Sequence, residues 1–185
     1  MMIYSIRHGK TDMNAQNIFN GRVEEDINEE GISQAKKARD LMKDKKIDLI
    51  YCSPMIRTRH TCEIINEKNV PVIYDDRLLE RTLGDIDGKN LEEEGITKEI
   101  FYNYNYKFNN KDCEDIPMVF ERVHSLLDEI VKNNRDKNVL LVTHGAIMRA
   151  IYFYFNTTIP ENGDVSFFKA KNCELYEYDV EKLMK

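Results

Sequence analysis

Short apolar runs alternate with longer amphipathic segments along this chain of 185 residues. The short runs are typical of buried strands, whereas apolar side chains three and four positions apart are typical of helices packed on one face. The predicted strands are 2–7, 48–52, 70–74 and 138–143, and the predicted helices are 31–44, one beginning at 53, 114–134 and 145–155. This alternation predicts an α/β fold, a three-layer sandwich with a mostly parallel central sheet flanked by helices.

Some segments follow the alternation less closely. Ser53 and Pro54 are predicted to open the second helix as its N-cap and first residue. Two further β-like runs, 165–170 and 173–178, flank a short turn near the end of the chain. The tyrosine- and asparagine-rich stretch 101–110 is predicted to be a mobile helix or a lid over one edge of the sheet.

The chain contains no repeat and no Pro-, Gly- or Ser-rich linker, so we expect one domain over 1–185 with a lid around 89–113. Hydrophobic residues at 42% and charged residues at 32% are typical of a globular protein, and the net charge of −6 argues against a nucleic-acid binder. No apolar run approaches the roughly 20 residues of a membrane helix. We expect a cytoplasmic protein with four reduced cysteines, either a monomer or a homodimer.

Chemically useful side chains follow four of the predicted strands. Because ligands bind beyond the carboxyl ends of strands in open α/β sheets, these side chains are expected to share one rim. In chain order they are Arg7, His8, Arg57, Arg59, Glu80 and His144.

Each of these residue types also has an ordinary structural use, and Glu80 beside Arg77 and Arg81 is open to interpretation as a surface ion pair. Two histidines and a carboxylate also suit a metal ion, but Arg7 directly beside His8 would repel a divalent cation. Arginines with histidines favour a phosphate group, which planar guanidinium groups bind in bidentate fashion.

Four stretches carry a resemblance to a known family. IRHGKTDMN (6–14) resembles R-H-G-[EQ]-T-x-x-N, and CSPMIRTRHT (52–61) resembles S-x-L-x-R-[AT]-x-x-T. LLERTLGDIDG (78–88) resembles L-x-E-x-x-x-G-x-W-E-G, and VTHGAIMRAI (142–151) resembles V-[ST]-H-G-x-x-[IL]-R. Together, in order and over nearly the whole chain, they resemble the histidine phosphatase superfamily, also called the phosphoglycerate mutase-like family.

The resemblance implies a role for each residue of the rim. His8 would attack phosphorus and form a phosphohistidine, Arg7 and Arg57 would bind the phosphoryl oxygens, and His144 would donate a hydrogen bond to one of them. Glu80 would protonate the leaving oxygen and then activate water. Neither a metal nor a cofactor is implied. The substrate-binding residues implied are Asn14, Asn20, Gly21 and Lys10.

The family contains phosphatases and mutases. The mutases carry an insertion with paired arginines, whereas the arginines between 89 and 137 here are only Arg122 and Arg135. The resemblance therefore favours a phosphomonoesterase acting on a small phosphorylated metabolite, such as α-ribazole phosphate or a sugar phosphate. Mutase-type phosphoryl transfer and a non-catalytic phosphate-binding module remain the alternatives. Lys10 departs from the usual acidic or amide residue and adds positive charge at the mouth of the site.

Overall fold

A five-stranded sheet forms the centre of the protein. The computed structural model describes residues 1–110 and 112–183. The strands are β1 (Met2–Arg7), β2 (Leu49–Cys52), β3 (Val72–Tyr74), β4 (Val139–Thr143) and β5 (Leu175–Asp179). Their spatial order is β3-β2-β4-β1-β5, with β5 antiparallel to β1 and the other pairs parallel. The predicted, mostly parallel sheet is confirmed.

Helices cover both faces of this sheet. They are α1 (Asp12–Ala15), α2 (Glu29–Leu41), α3 (Ile56–Ile65), α4 (Lys98–Phe101), α5 (Ile116–Asn133), α6 (Gly145–Asn156) and α7 (Val180–Leu183). Helices α2 and α3 pack on one face, and α5 and α6 pack on the other. The three-layer sandwich is therefore confirmed. Within residues 1–110 and 112–183, none of these helices is both long enough and apolar enough to cross a membrane.

The alternation of side chains along β4 divides the core in two. Val139 and Leu141 pack with α5 and α6, whereas Leu140 and Val142 pack with α2 and α3. All five residues of β4 are buried, because the strand is central in the sheet and covered on both faces. The loop that follows β4 therefore starts from the most constrained part of the fold.

The loop after β1 lies directly against the first turn of α2. A Cβ atom on Gly9 would lie 2.6 Å from the carbonyl oxygen of Gly31, and a Cβ atom on Gly31 would overlap the backbone of Lys10. Asn28 caps α2 by accepting from the N–H of Gly31 at 3.0 Å, and its own N–H donates to the Lys10 carbonyl at 2.9 Å. Two glycines thus permit the contact that fixes the end of β1 and the residue after it.

The prediction that Ser53 and Pro54 open α3 is wrong. Met55 is the N-cap, and it makes no side-chain capping bond. The first N–H group of the helix, on Ile56, instead donates to the carboxylate of Glu24 at 3.0 Å. A distant loop supplies the acceptor that a local serine was expected to supply, so the helix begins at Ile56.

The prediction of a β-like run at 165–170 is also wrong, since the structure contains no strand there. The Val165 and Phe168 carbonyls instead accept hydrogen bonds from the buried guanidinium of Arg149, at 2.7 and 2.6 Å. The final run does form a strand, β5, beginning at Leu175. The buried guanidinium of Arg149 on α6 thus binds the backbone carbonyls that a neighbouring strand would have bound.

The predicted lid, 89–113, includes position 111, which lies outside the described residues. Over its described residues, 89–110 and 112–113, the one helix is the short α4, and the residues after it lie mainly in turns. Tyr104 donates its N–H to the Gly163 carbonyl at 2.7 Å, and the Tyr102 carbonyl accepts from Val165 at 3.0 Å. These backbone bonds attach the segment to the loop before β5. Movement of the segment stays a prediction.

The contact between the β1 loop and α2 predicts the effect of Gly31→Ala. An added methyl group would push the Lys10 backbone away, and such overpacking costs about 1–3 kcal/mol in the free energy of unfolding. Alanine would otherwise favour a helix, by up to about 1 kcal/mol. Urea denaturation should show a lower midpoint at an unchanged m-value. Ser33→Ala, at an exposed position on α2, is the control. Equal midpoints for the two variants would contradict the prediction.

Candidate active site

A cavity of about 610 Å³ opens at the carboxyl ends of the parallel strands. Arg7, His8 and Glu80 line it, as the positions of these residues after the strands predict. Arg57 and His144 lie beneath it with no exposed surface. The structure therefore brings together all five residues predicted to be catalytic. Arg59, also expected at this rim, is instead exposed and does not line the cavity.

His8 is held as a neutral imidazole with one nitrogen available. Its Nδ1 lies 2.7 Å from the Gly9 carbonyl oxygen, which can only accept, so Nδ1 carries the proton. Burial, and then the charges of Arg7 and Arg57, hold the pKa of His8 well below its usual value. Nε2 is thus unprotonated at neutral pH, and its lone pair is available as a nucleophile requires.

Thr61 fixes the backbone that orients His8. The Gly9 N–H donates to the Thr61 hydroxyl oxygen at 3.0 Å, and that hydroxyl donates to the Arg57 carbonyl at 2.7 Å. The residue whose carbonyl holds the His8 ring is therefore attached through its N–H to α3, the helix that carries Arg57. His8 and this arginine are positioned by one hydrogen-bonded unit.

Arg7 retains a buried donor without a partner. One terminal nitrogen donates to the Ala170 carbonyl at 3.1 Å, while the buried Nε–H has no acceptor among residues 1–110 and 112–183. Burial lowers the pKa of this guanidinium, and Glu80 acts in the opposite direction. A buried donor left unpaired is costly, and an anion bound beside His8 would supply its acceptor.

Arg57 is bound on three sides. Its terminal nitrogens donate to the carbonyls of Gly21 at 2.7 Å and Val23 at 2.8 Å, and its Nε donates to Nδ1 of His144 at 3.2 Å. Gly21 has a φ of +51°, and a Cβ atom there would overlap the carboxylate of Asp87. The turn that presents its carbonyl to Arg57 therefore requires a glycine.

His144 is the N-cap residue of α6, and its ring centroid lies 5.2 Å from that of His8. Burial, followed by the charge of Arg57, holds the pKa of His144 well below its usual value. Its Nε2 lies 2.8 Å from the hydroxyl oxygen of Ser53. Both ring nitrogens are therefore hydrogen-bonded within the protein.

Glu80 is bound by backbone amides. One carboxylate oxygen accepts from the N–H of Arg81 at 2.8 Å and from that of Ala146, in the first turn of α6, at 3.3 Å. The Arg77 guanidinium pairs with Asp75 at 2.7 Å, and that of Arg81 donates to backbone carbonyls. The flanking arginines thus bind elsewhere, and the interpretation of Glu80 as half of a surface ion pair loses its support.

The predicted substrate-binding residues all line the cavity, but their hydrogen-bonding capacity differs. The amide nitrogen of Asn20 donates to Thr11 at 3.1 Å and to Glu25 at 2.6 Å, and its oxygen accepts from Asn14 at 2.7 Å. Asn20 is therefore occupied in holding the loop together. Among the described residues, the amide nitrogen of Asn14 donates only this one hydrogen bond, to Asn20, so its second N–H has no acceptor there. Lys10 pairs with the Glu30 carboxylate at 2.9 Å, which offsets part of the charge it adds at the mouth.

Comparison with known proteins places this geometry in a family. Residues 3–182 match the model of the histidine phosphatase superfamily, branch 1. The chain belongs to that superfamily. It is 34% identical over 157 residues to the uncharacterized phosphatase PhoE of Bacillus subtilis, which covers 84% of this chain and 78% of that protein. It is 33% identical over 158 residues to a putative phosphoserine phosphatase 2 of Hydrogenobacter thermophilus, covering 80% and 75%.

A solved structure shows the same fold. The phosphoserine phosphatase of Entamoeba histolytica, in complex with 3-phosphoglyceric acid, superimposes with a TM-score of 0.84 at 22% identity, over 98% of this chain and 91% of that one. Membership of the histidine phosphatase superfamily confirms the resemblance carried by the four motifs. Homologues named as phosphatases make this chain a hydrolase by family.

Examining the residues that follow each strand did not predict three polar residues of the site. Ser53 was interpreted as a helix cap, although it contacts His144. Thr61 lies at the last position of a family motif and binds Gly9. Asn172 lines the cavity and donates to the His8 carbonyl at 2.8 Å, and no sequence motif marks it. A serine one residue after a strand, on the same rim as His144, was the available signal for Ser53.

The buried neutral histidines predict a pH dependence of stability. The folded pKa of His8 is below the unfolded value of about 6.5, so the unfolded state binds more protons as the pH falls through that value. The free energy of unfolding should therefore fall as the pH drops below about 6.5. His8→Asn should make this fall less steep, as measured by urea denaturation between pH 7.5 and pH 5. His60→Asn removes a partly exposed imidazole and serves as control. An unchanged slope in His8→Asn would contradict the assignment.

Proposed function

We propose that this protein is a phosphomonoesterase that hydrolyses a small phosphorylated metabolite through a phosphohistidine on His8. One observation carries the proposal: the free Nε2 of a neutral, buried His8 lies in a cavity with Arg7, whose buried Nε–H has no partner within the described residues. A nucleophile beside an unpaired cationic donor is suited to attack on a phosphoryl group.

The reaction proceeds in two steps. The Nε2 lone pair of His8 attacks phosphorus, the bond from phosphorus to the ester oxygen breaks, and the leaving oxygen takes a proton from the Glu80 carboxyl group. The resulting carboxylate then takes a proton from water as the water oxygen attacks the phosphohistidine, which restores neutral His8. A carboxyl group facing a phosphate dianion favours its protonated form, as the first step needs.

The positive charge needed for this transfer comes from the chain itself. Phosphoryl transfer places charge on the equatorial oxygens, where fixed cationic donors contribute most. Arg7 and Arg57 are fixed by hydrogen bonds to carbonyls of Ala170, Gly21 and Val23, so they need little rearrangement during the reaction. No metal is required in this scheme.

The positions of the arginines between 89 and 137 support hydrolysis over mutase-type transfer, which needs arginines to bind a second phosphate. Arg122, one of only two arginines between 89 and 137, donates to the Glu114 carboxylate at 2.8 Å and to the Arg77 carbonyl at 2.6 Å. Arg135 follows the end of α5 and does not line the cavity. In the part of the chain that the structure describes, the cavity thus lacks a pair of arginines to hold the far end of a bisphosphate.

The size and walls of the cavity support a substrate with a sizeable leaving group. A volume of about 610 Å³ is much greater than a phosphate needs. Phe19, Leu91 and Phe101 supply apolar surface, and Asn17 and Asn90 supply amides. This combination suits hydroxyl groups on a partly apolar body, as in a sugar phosphate or α-ribazole phosphate. Measuring kcat/KM over a panel of phosphorylated metabolites, with phosphoserine included, would rank these candidates.

The nucleophile assignment predicts the behaviour of His8→Asn. In EDTA, the unaltered protein should hydrolyse p-nitrophenyl phosphate and form an acid-labile phosphoenzyme, whereas His8→Asn should do neither. His124→Asn, which alters a histidine on α5 outside the cavity, is the matched control. A non-catalytic phosphate-binding module would show no turnover before substitution. Loss of activity in EDTA that zinc or manganese restores would contradict the metal-independent scheme.

The role of Glu80 predicts a dependence on the leaving group. Removing a general acid costs roughly 10²–10⁴-fold in rate, but p-nitrophenolate leaves without a proton while a sugar alkoxide needs one. Glu80→Gln should therefore slow phosphoryl transfer from a sugar phosphate far more than from p-nitrophenyl phosphate. With the second substrate, hydrolysis should become limiting and phosphohistidine should accumulate in rapid-quench samples.

Glu114→Gln is the matched control, because this carboxylate binds Arg22 and Arg122 and does not line the cavity. Equal losses on both substrates in Glu80→Gln, without accumulation of phosphohistidine, would show that Glu80 is structural.

A further inference from the structure

The hydrogen bonds around His144 are one acceptor short. Three donors meet at this ring: the Nε–H of Arg57, the single N–H of the neutral imidazole and the hydroxyl of Ser53. Only two acceptors are present, the unprotonated ring nitrogen and the serine oxygen. All three side chains are fully buried.

In the structure, Arg57 decides which proton arrangement is present. Its Nε–H can only donate, and it lies 3.2 Å from Nδ1 of His144. Nδ1 must therefore accept, which places the ring proton on Nε2, 2.8 Å from the Ser53 hydroxyl oxygen. The Ser53 hydroxyl hydrogen then has no acceptor in the described part of the chain, since the other bonds of this residue use its backbone.

The opposite arrangement satisfies Ser53 at the expense of Arg57. If the hydroxyl donates to Nε2, the ring proton moves to Nδ1 and faces the Arg57 N–H at 3.2 Å. Two donors then point at each other. An anionic oxygen that displaced this direct contact would accept from both groups, and every donor would have a partner.

We propose that a phosphoryl oxygen replaces the direct hydrogen bond between Arg57 and His144, accepts from both side chains and reverses the tautomer of His144, with Ser53 as the positioning residue that stabilises the reversed form. In the bound state, Nδ1–H and the Arg57 Nε–H donate to the oxygen, and the Ser53 hydroxyl donates to Nε2. Nε2 gives one proton to solvent water and Nδ1 takes one from it as the ligand enters, so the ring remains neutral and no net proton is bound or released. This proposal rests on the proposed phosphatase function and names a device within that site.

The surroundings of the His144 ring favour a move of its single proton from one nitrogen to the other over the gain of a second proton. Arg57, His8 and Arg7 all act to keep a positive charge off His144, and burial acts in the same direction. The reversed tautomer also lets His144 donate to the substrate, the role that the family resemblance implies. In the ligand-free structure the ring has no free donor for that role.

The proposal is tested by NMR of the histidine ring nitrogens in uniformly ¹⁵N-labelled protein, with orthovanadate as the phosphate mimic. Signals of His144 are assigned with His144→Gln. Without vanadate, Nε2 should carry the proton and Nδ1 should be unprotonated. With vanadate, the assignment should reverse. A ring that keeps its proton on Nε2, or that gains a second proton, would overturn the proposal.

Ser53→Ala provides the second arm. Without the hydroxyl, the reversed tautomer loses its partner, so vanadate should bind on the order of tenfold more weakly and the reversal should be lost. Thr58→Val is the control, because it removes a buried hydroxyl that donates only to the backbone carbonyls of Ser53 and Met55. Reversal that persists in Ser53→Ala would remove the positioning role of Ser53. Failure of the unaltered protein to bind vanadate would overturn the proposed function as well.

Discussion

A buried guanidinium controls much of the arrangement around the cavity. Arg57 has no exposed surface, and a charge taken out of water must be compensated by well-placed acceptors. The carbonyls of Gly21 and Val23 provide them from a loop distant in sequence. That loop can reach Arg57 only because Gly21 adopts a left-handed conformation against Asp87. The wall of the cavity thus depends on the hydrogen-bonding needs of one side chain.

The same loop is stabilised from within by polar side chains. Asn20 bonds to Asn14, Thr11 and Glu25, so all of its amide hydrogens and its oxygen are occupied. On its other side, the loop reaches the Glu80 segment through Arg22, whose Nε donates to the Glu80 carbonyl at 3.1 Å. The segments carrying His8 and Glu80 are therefore connected through the loop that holds Arg57.

The electrostatic consequence is a set of neutral imidazoles among fixed cations. Burial and the neighbouring arginines hold the pKa values of His8 and His144 low, so both rings offer an unprotonated nitrogen at neutral pH. Arg7 and Arg57 keep their charge because each has carbonyl acceptors and the Glu80 carboxylate nearby. An anion entering this site would meet positive charge that is already positioned, which is the condition for strong electrostatic stabilisation.

The sequence by itself determined how the main strands and helices alternate along the chain and, Arg59 excepted, which residues meet at the rim. Apolar periodicity is a local property, and the rule that parallel strands end at one edge converts it into the proximity of His8, Arg57, Glu80 and His144. The sheet of the structure confirms the predicted sandwich, and the family match confirms the resemblance carried by the motifs.

Only the tertiary structure decided where donors found their acceptors. Ser53 was expected to cap α3, but the Glu24 carboxylate serves the first N–H group of that helix, and the serine hydroxyl bonds to His144. The run 165–170 was expected to be β-like, but its carbonyls bind Arg149. In each case the partner comes from a segment remote in sequence, and a pattern of neighbouring residues carries no information about such a partner. Hydrogen bonds between residues far apart in sequence form only once packing has brought the two segments together, so they can be read only from the folded structure.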